Sequence, residues 1–405
     1  MGSRPTAHAR SRPRHLLAGD QTLATLSTLR ALQAVGHEVW LAHWQSETYA
    51  TRSRAKAGAV RVPDPSLDPD GFVGALVRAA SEIRPATILP GGESSLLALA
   101  GREDEFPADV VVGTFPPELV RRATDKQALA EVAEAAGLAT PPTEIVSAED
   151  LLDRAEKLAY PLVLKAARSL VSDPNGSLRR VESCRVDSSD DLVEAMDRLQ
   201  SSPLLVQQYV PGVLRTVCGV AWRGRLVCSL LQENTRLWPP GFGVASLAIS
   251  LPRDPELEQA TTRIVQALEL SGVFQVEFLV DGEERYLIDI NPRIYSSMGA
   301  AIAAGLNLPA IWVELLLGGA PQVGEYRVGV RWRVEDSELR LLKRAVLRGD
   351  RRLVAELVRP RRGTAHAAFV LHDPGPAFIT LRRLLRTLRA NTRRLLRRSS
   401  LPGSA

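Results

Sequence analysis

The stretch FQVEFLVDGEERYLIDINPRIYSS, Phe274–Ser297, contains the pattern that decides the fold. Apolar segments on both sides of a polar centre predict two antiparallel strands joined by a turn. Side chains alternate between the two faces of a strand, so Asp289 and Asn291 share one face of the second strand. A loop of five residues, Asp281–Arg285, would place Glu277 of the first strand directly opposite Asp289.

Two opposed carboxylates on a hairpin repel each other unless a positive charge lies between them. A divalent cation such as Mg²⁺ removes this repulsion, and Asn291 adds a neutral oxygen on the same face. A solvated hairpin with an acidic outer face explains the spacing equally well. The residues of FQVEFLV are apolar on both faces, which indicates a buried strand and favours the metal site, because buried carboxylates need partners.

Lysine is rare in this chain. Only five of the 51 basic residues are Lys, namely Lys56, Lys126, Lys157, Lys165 and Lys343. The segment TDKQALAEVAEAAG predicts a helix with Thr124 as N-cap and Gln127 at its third position, which places Lys126 near the positive helix end. Lys165 ends the apolar strand YPLVLK, where a buried ammonium group needs an anion. Either lysine alone could be an ordinary surface residue, but both together with Arg293 predict a polyphosphate bound with Mg²⁺.

The segment LLVQQYVPG predicts a strand that bends at a Pro-Gly turn. Backbone groups at such a bend are able to bind a planar base between apolar neighbours. An ordinary connection between two lobes is the alternative interpretation.

Length and composition set the class of protein. A chain of 405 residues predicts two to four packed units, and 45% hydrophobic residues with 24% charged residues are typical of a soluble globular protein. The sequence predicts no transmembrane helix and no signal peptide. Three cysteines without metal-ligand spacing predict reduced thiols and a cytoplasmic location.

The order of apolar segments predicts an α/β protein with four parts. Residues 1–118 alternate strands and helices as in a Rossmann-like domain, but they lack G-x-G-x-x-G and so do not indicate dinucleotide binding. Residues 119–206 form a first lobe, and residues 207–320, dominated by strands, form a second. Residues 321–405 are a C-terminal extension with a basic helix.

The residues quoted above resemble the ATP-grasp superfamily, in particular its carboxylate–amine ligase branch with the carbamoyl-phosphate-synthase-like and biotin-carboxylase-like enzymes. The resemblance covers about Arg14–Pro309. Its most specific element is E-F-x(10)-[ED]-x-N-x-R, which matches Glu277, Phe278, Asp289, Asn291 and Arg293, followed by AGLNLP. It implies a Rossmann-like pre-ATP-grasp domain followed by a two-lobed ATP-grasp fold.

The resemblance also implies a role for each matching position. Lys126 and Lys165 would bind the phosphates of ATP, Gln207, Gln208, Tyr209 and Val210 would form the adenine hinge, and Glu277, Asp289 and Asn291 would bind Mg²⁺ or Mn²⁺. Arg293 would be the catalytic arginine at the phosphoryl intermediate, and Arg236 a second basic residue near the γ-phosphate.

The sequence departs from the family in three places. Gln207 stands where Glu is frequent, and Val213 and Leu214 stand where an acidic residue often binds the ribose. The segment Arg168–Arg180, which matches a Gly-rich phosphate-covering loop, has Gly176 as its only glycine. These departures motivate an alternative hypothesis, a non-catalytic ATP-binding or scaffold protein.

The activity implied by the resemblance is ATP-dependent ligation of a small carboxylate to an amine through an acylphosphate. No nucleophilic side chain is needed for this reaction. ATP and these two small molecules are the expected partners, and no specific nucleic acid is expected.

The segment ITLRRLLRTLRANTRRLLRRSS has eight arginines, so the rest of the chain has a net charge of about −3 instead of the overall +5. Apolar residues from Phe378 onward follow helical spacing, namely Phe378, Leu381, Leu384, Leu385, Leu388, Leu395 and Leu396. Packing on the protein itself is the preferred interpretation, and contact with an anionic membrane surface or with nucleic acid is the alternative.

Overall fold

The computed structural model describes residues 12–19, 23–166, 183–199, 203–241 and 243–384, together with the backbone of residues 170–172 and 178–180. These residues form three main sheets with covering helices and one two-stranded hairpin. The mixed α/β architecture predicted from the sequence is confirmed. Cys184, Cys218 and Cys228 are free thiols, as predicted.

The first unit is a parallel five-stranded sheet with the strand order β3-β2-β1-β4-β5. Its strands are β1 (Arg14–Ala18), β2 (Glu38–His43), β3 (Gly58–Arg61), β4 (Thr87–Pro90) and β5 (Val111–Val112), and its helices are α1 (Leu23–Ala34), α2 (Tyr49–Arg52), α3 (Pro69–Ile83), α4 (Glu93–Leu99) and α5 (Pro117–Thr124). Strands β1 and β4 are fully buried beyond the first residue of β1, as expected for inner strands of a parallel sheet. The unit has the strand and helix alternation of a Rossmann-like domain.

The second unit is an antiparallel sheet with the order β10-β7-β11-β6. Its elements are α6 (Leu129–Ala135), β6 (Thr143–Val146), α7 (Ala148–Asp153), β7 (Leu162–Ala166), β10 (Cys184–Val186), α8 (Ser189–Leu199) and β11 (Leu204–Gln208), with the separate hairpin β8 (Leu170–Ser172) and β9 (Leu178–Arg180). Helices α7 and α8 pack their apolar residues on one face of the sheet. Part of the predicted glycine-poor loop, at 168–169 and 173–177, lies outside the described residues.

The helix predicted to begin at Thr124 is wrong. Thr124 is instead the last residue of α5, and its hydroxyl donates to the carbonyl of Val120 at 2.9 Å. Asp125 then accepts from the backbone N–H of Gln127 at 2.9 Å, and α6 begins only at Leu129. A hydroxyl that bonds back into the preceding turn is unable to cap the following helix. Lys126 therefore lies in the segment between two helices.

The third unit is a seven-stranded sheet with the order β16-β15-β12-β13-β14-β17-β18. Its elements are β12 (Val213–Trp222), β13 (Arg225–Trp238), β14 (Val244–Ser250), α9 (Pro255–Ala267), β15 (Gly272–Asp281), β16 (Glu284–Asn291), α10 (Met298–Ala304), α11 (Leu308–Leu316), β17 (Arg331–Arg333), α12 (Glu335–Leu347), α13 (Arg351–Val358) and β18 (Thr364–His366). Helix α9 covers one face with Leu257, Ile264 and Val265. On the other face, α10 and α11 share one apolar core with α1, so the first and third units are packed together.

The hairpin β15–β16 brings Glu277 opposite Asp289 as predicted, but with a shorter turn than the predicted five-residue loop. The connection is a two-residue turn in which Gly282 has a φ of 59°, as glycine has at the first position of type II′ turns. An even-length turn alone would put the two carboxylates on opposite faces. A bulge between Phe278 and Glu277, which leaves Ile288 as the extra residue, restores the common face.

The segment after residue 320 is not separate from the third unit. β17 pairs with β14, and β18 pairs with β17. Asp373 then joins the first unit, because its carboxylate accepts from Arg30 at 2.8 Å and from the hydroxyl of Ser53 at 2.6 Å. The four-part domain division stays a prediction, with the addition that its last part completes a sheet begun by the third.

Residues 375–384 are helical and contact the first unit. Ile379 and Thr380 are buried there, and the guanidinium of Arg383 lies 4.9 Å from the ring of Tyr49. Phe378 and Leu381 are exposed, so the predicted apolar face is not the one that packs. The described part of this basic helix packs on the protein itself, whereas Leu385, Leu388, Leu395 and Leu396 lie outside the described residues.

Among the described residues, no single helix is long and apolar enough to span a membrane. The bent pair α10 and α11, with an angle of 96° between the two helices, meets the length and composition of a span when taken together.

Candidate functional site

A cavity of about 990 Å³ lies where the three units meet. The second unit contributes Lys165, the third unit contributes the inner face of its sheet, and α12 and α13 contribute Leu341 and Leu353. The turn between β4 and α4 closes the cavity from the first unit with residues 91–94. Every residue proposed from the sequence as part of the site lines this cavity.

The two carboxylates of the hairpin form the acidic side of the cavity. Glu277 and Asp289 are partly buried and face each other directly. Burial, and then the Asp289 carboxylate, raise the pKa of Glu277 to about 7. The positive side chains of Lys126, Lys165 and Arg293 act in the opposite direction. A carboxyl group whose pKa is raised by a neighbouring carboxylate is suited to bind a cation.

Asn291 and Arg293 continue this face beyond the end of β16. The amide nitrogen of Asn291 donates to Glu277 at 3.3 Å, and its oxygen accepts from Arg293 Nη2 at 2.8 Å. A role for Asn291 as a metal ligand therefore requires the amide to turn its oxygen toward the carboxylates. Arg293 also donates through Nη1 to the carbonyl of Ile294 at 3.2 Å, so its guanidinium is held beside the acidic pair.

The two lysines form the opposite side of the cavity. Lys165 is buried on β7, where burial and then the charge of Lys126 lower its pKa to about 8. Asp289 and Glu277 act in the raising direction, which shows that the two lysines and the two carboxylates lie within electrostatic range of each other. Burial and a second cation destabilise the charged form of this lysine, and a bound anion would stabilise it.

The predicted hinge lies at the end of β11. The side-chain amide of Gln207 donates to the hydroxyl of Thr143 at 2.8 Å, and the backbone N–H of Gln208 donates to the carbonyl of Pro142 at 2.8 Å. Tyr209 and Val210 follow the last strand residue and line the cavity with them. The guanidinium of Arg185 lies 4.3 Å from the centre of the Tyr209 ring.

Arg236 lines the cavity, but carboxylates already neutralise its charge. Its Nε and Nη2 donate to Glu338 of α12 at 3.0 and 2.5 Å, and its Nη1 donates to Glu356 of α13 at 2.7 Å. The side chain of Glu338 is 2% exposed, and it also accepts from Arg333 and Ser246. The catalytic role predicted for Arg236 is therefore not matched by a free guanidinium in this structure.

Sequence comparisons find proteins similar to this chain. Residues 200–337 match the sequence profile of a family described as "ATP-grasp in the biosynthetic pathway with Ter operon". The large chain of carbamoyl phosphate synthase from Thermomicrobium roseum is 28% identical over 267 residues, which are 60% of this chain.

By this profile, residues 200–337 of the chain resemble the ATP-grasp family.

The likeness to solved structures concerns the same fold. N5-carboxyaminoimidazole synthetase from Staphylococcus aureus, solved with ADP, aligns with a TM-score of 0.61 and 17% identity over 84% of this chain and 86% of the other. An L-amino acid ligase from Bacillus licheniformis aligns with a TM-score of 0.58 and 18% identity, covering 76% and 75% of the two chains. The Thermomicrobium match is only part of a larger protein, because this chain spans 24% of its length.

The sequence interpretation missed residues that line the cavity, namely Gln275, Leu341 and Leu353, and residues that support it from behind. Gln275 and Gln232 both donate to the hydroxyl of Ser297, at 3.2 and 2.7 Å, and connect the hairpin with β13. The strand period was a usable signal for Gln275, which lies two residues before Glu277 on the same face. Leu341 and Leu353 had no such signal, because they lie in the segment beyond the family resemblance.

Proposed function

We propose that the chain is an ATP-dependent ligase that activates a carboxylate as an acylphosphate and joins it to an amine. One observation carries the proposal. Lys126, Lys165, Glu277, Asp289 and Arg293 come from distant segments and lie within electrostatic range of each other around one cavity. Two carboxylates with an arginine beside them and two lysines opposite them are the arrangement needed for a metal-bound triphosphate.

The donor set fits Mg²⁺. No cluster of three His, Cys, Asp or Glu side chains was found in the described part of the chain. Mg²⁺ usually binds through one or two carboxylates together with substrate phosphates and waters, so the pair Glu277 and Asp289 is sufficient. When bound, the ion would neutralise charge on the β- and γ-phosphates. Mn²⁺ has the same ligand preference and is the natural replacement.

The chain's own residues would act by position and charge. Lys165, aided by Lys126, would bind the phosphates, and the hinge Gln207–Val210 would hold adenine at the end of β11. Arg293 would offset negative charge on the oxygens of the transferred phosphoryl group. Because these interactions act on charge, the step requires no nucleophilic side chain.

The reaction has two steps. A carboxylate oxygen of the acid attacks the γ-phosphorus, and the bond between this phosphorus and the β–γ bridging oxygen breaks to release ADP. The amine then attacks the acyl carbon, forms the C–N bond, expels phosphate and loses a proton. The names of two similar proteins, carbamoyl phosphate synthase and L-amino acid ligase, refer to an acylphosphate and to the ligation of L-amino acids, which supports the proposed class but leaves the acid and the amine open.

A direct test uses hydroxylamine as the amine. Purified protein, Mg²⁺ and ATP are incubated with a panel of simple carboxylic acids and L-amino acids, and ADP and hydroxamate are measured. We expect at least one acid to stimulate both products. The double substitution Glu277→Ala and Asp289→Ala should abolish them, and intact product formation in that variant would refute the proposal.

The hairpin offers a matched control. Asp281 and Glu284 are also directly opposed on β15 and β16, but they are exposed and lie outside the cavity. Converting both of them to Ala also removes two negative charges from this hairpin, but at a place away from the cavity. Turnover should stay within about twofold of the wild-type value.

The second candidate is a non-catalytic ATP-binding or scaffold protein. Val213 and Leu214, which line the cavity where an acid often binds ribose, favour it. Tight ATP binding without ADP release across the whole acid panel would establish this alternative.

A further inference from the structure

Glu93 brings an acidic side chain from the first unit into the cavity. It is the first residue of α4, its side chain is 6% exposed, and its carboxylate lies 3.4 Å from Nη2 of Arg293. The guanidinium of Arg293 is 11% exposed, and both residues line the cavity. The ion pair therefore connects the first and third units at the site proposed for phosphoryl transfer.

The sequence PGGE places this carboxylate. The N–H of Gly91 donates to the carbonyl of Ala18 at 2.8 Å, so the turn after β4 packs against the end of β1. A Cβ on Gly91 would lie 2.8 Å from that oxygen and 2.8 Å from Cα of Gly19. Only glycine permits this approach. The close packing fixes the start of α4 and with it the direction of Glu93.

The contacts of Arg293 extend from Glu93 to the acidic pair. Its Nη2 faces both Glu93 and the amide oxygen of Asn291, and the amide nitrogen of Asn291 reaches Glu277. Two further cations, Lys126 and Lys165, affect the same acidic pair. An arginine in this field is repelled by the lysines, and a carboxylate behind it offsets that repulsion.

We propose that Glu93 is a positioning residue that holds the Arg293 guanidinium in the orientation required at the transferred phosphoryl group. This inference rests on the proposed function. It makes the first unit part of the reacting assembly, because a change in how that unit packs would move Arg293. A displacement of about 1 Å at such a group costs about 10²-fold in rate.

The main test is Glu93→Gln, which removes the charge and retains the shape. We expect kcat for ADP release, with the acid found by the hydroxamate panel, to fall about 10²-fold while KM for ATP changes less than about threefold. Glu93→Asp keeps the charge, so its kcat should be about tenfold higher than that of Glu93→Gln. Equal loss in Glu93→Asp and Glu93→Gln would contradict a role of the charge.

The control is Asp373→Asn. Asp373 is a buried carboxylate that pairs with Arg30 and also joins the first unit to another segment, but it does not line the cavity. This variant should lower the melting temperature and leave kcat within about twofold. If Asp373→Asn lost as much kcat as Glu93→Gln, the positioning role would be wrong, and Glu93 would only help to pack the first unit on the third.

A double substitution tests whether Glu93 acts through Arg293. In an Arg293→Ala background, Glu93→Gln should cause no further loss of kcat, since the group that it positions is gone. If the loss of kcat in the double variant equals the product of the two single losses, the proposal is overturned.

Hydrogen–deuterium exchange of the unliganded protein separates this inference from the proposed function. Glu93→Gln should accelerate exchange in peptides covering residues 288–297, and Asp373→Asn should not. If wild-type protein shows no acid-dependent turnover, the proposed function fails, while unchanged exchange in Glu93→Gln overturns the positioning role by itself.

Discussion

Two carboxylates of the third unit, Glu277 on β15 and Glu338 on α12, have opposite surroundings. Glu277 faces another carboxylate, and its pKa is raised to about 7 by burial and by that neighbour. Glu338 accepts hydrogen bonds from Arg236, Arg333 and Ser246. Glu277, which faces another carboxylate, is available for a ligand. Glu338, whose charge is neutralised by its partners, stabilises the fold.

The same substitution should therefore have opposite effects at the two positions. Glu277→Gln removes one of the repelling charges, so the protein should become more stable by on the order of 1 kcal/mol while acid-dependent ADP release falls about 10³-fold. Thermal unfolding and initial rates, measured at pH 7.5, check the two effects. A variant that unfolds at a lower temperature, or that keeps its rate, would contradict the comparison.

Glu338→Gln should destabilise the protein. It leaves the guanidiniums of Arg236 and Arg333 without their shared buried carboxylate, and removing one partner of a buried ion pair costs about 3 kcal/mol. Denaturant unfolding measures this loss. Glu356→Gln is the matched control, because Glu356 also binds Arg236 but is 46% exposed, and its loss should cost less than about 1 kcal/mol. Equal losses in the two variants would remove the distinction.

Much of the hairpin was accessible to sequence reasoning. Strand alternation and the spacing of Glu277 and Asp289 predict one common face, and the structure confirms the pairing. The predicted five-residue loop was wrong, because the two-residue turn at Gly282 and the bulge at Ile288 together give the same register as an odd loop. Neither the turn length nor the bulge is encoded by the alternation of polar and apolar residues.

Long-range partners were not accessible in this way. Arg236 and Glu338 are 102 positions apart, and no local pattern indicates that α12 returns to the end of β13. Lys126 was placed on a helix because Thr124 and Gln127 match a capping box, but the Thr124 hydroxyl bonds to the preceding helix. Glu93 follows two glycines, and no local pattern indicates a partner for its carboxylate 200 positions away.

On the basic side of the cavity, the affinity for nucleotide should depend on pH through Lys165. The pKa of Lys165 is lowered to about 8, so the side chain loses its proton between pH 7 and pH 9. If the phosphates bind the charged form, affinity for Mg-ADP should weaken about tenfold between these values. Isothermal titration calorimetry measures it, and Lys165→Arg, which stays charged, should show no such weakening. A wild-type affinity independent of pH would contradict the assignment.

The same lowered pKa affects unfolding. Above pH 8 the folded state releases the Lys165 proton before the unfolded state does, so this group should make the protein more stable as pH rises from about 8 to about 10.5. The contribution is read as the difference in unfolding free energy between wild type and Lys165→Met over that range. A constant difference would show that the ammonium is not destabilised in the fold.

The smallest effect is expected at the basic C-terminus. Because Ile379 and Thr380 pack on the first unit, a chain that ends at residue 384 should retain its fold, and it should pellet with anionic liposomes to the same extent as the full chain. Co-sedimentation at 0.15 M salt measures it. Stronger pelleting of the full chain would establish the membrane contact that the arginines of this segment permit.

The central claim is that Glu277 and Asp289 bind a divalent cation for a triphosphate. Its most direct test is a crystal structure with Mn²⁺ and a non-hydrolysable ATP analogue, recorded at the Mn absorption edge. We predict an anomalous peak between the two carboxylates, within about 2.3 Å of an oxygen from each and next to the β- and γ-phosphates. An analogue bound in the cavity with no anomalous peak between these side chains would contradict the account.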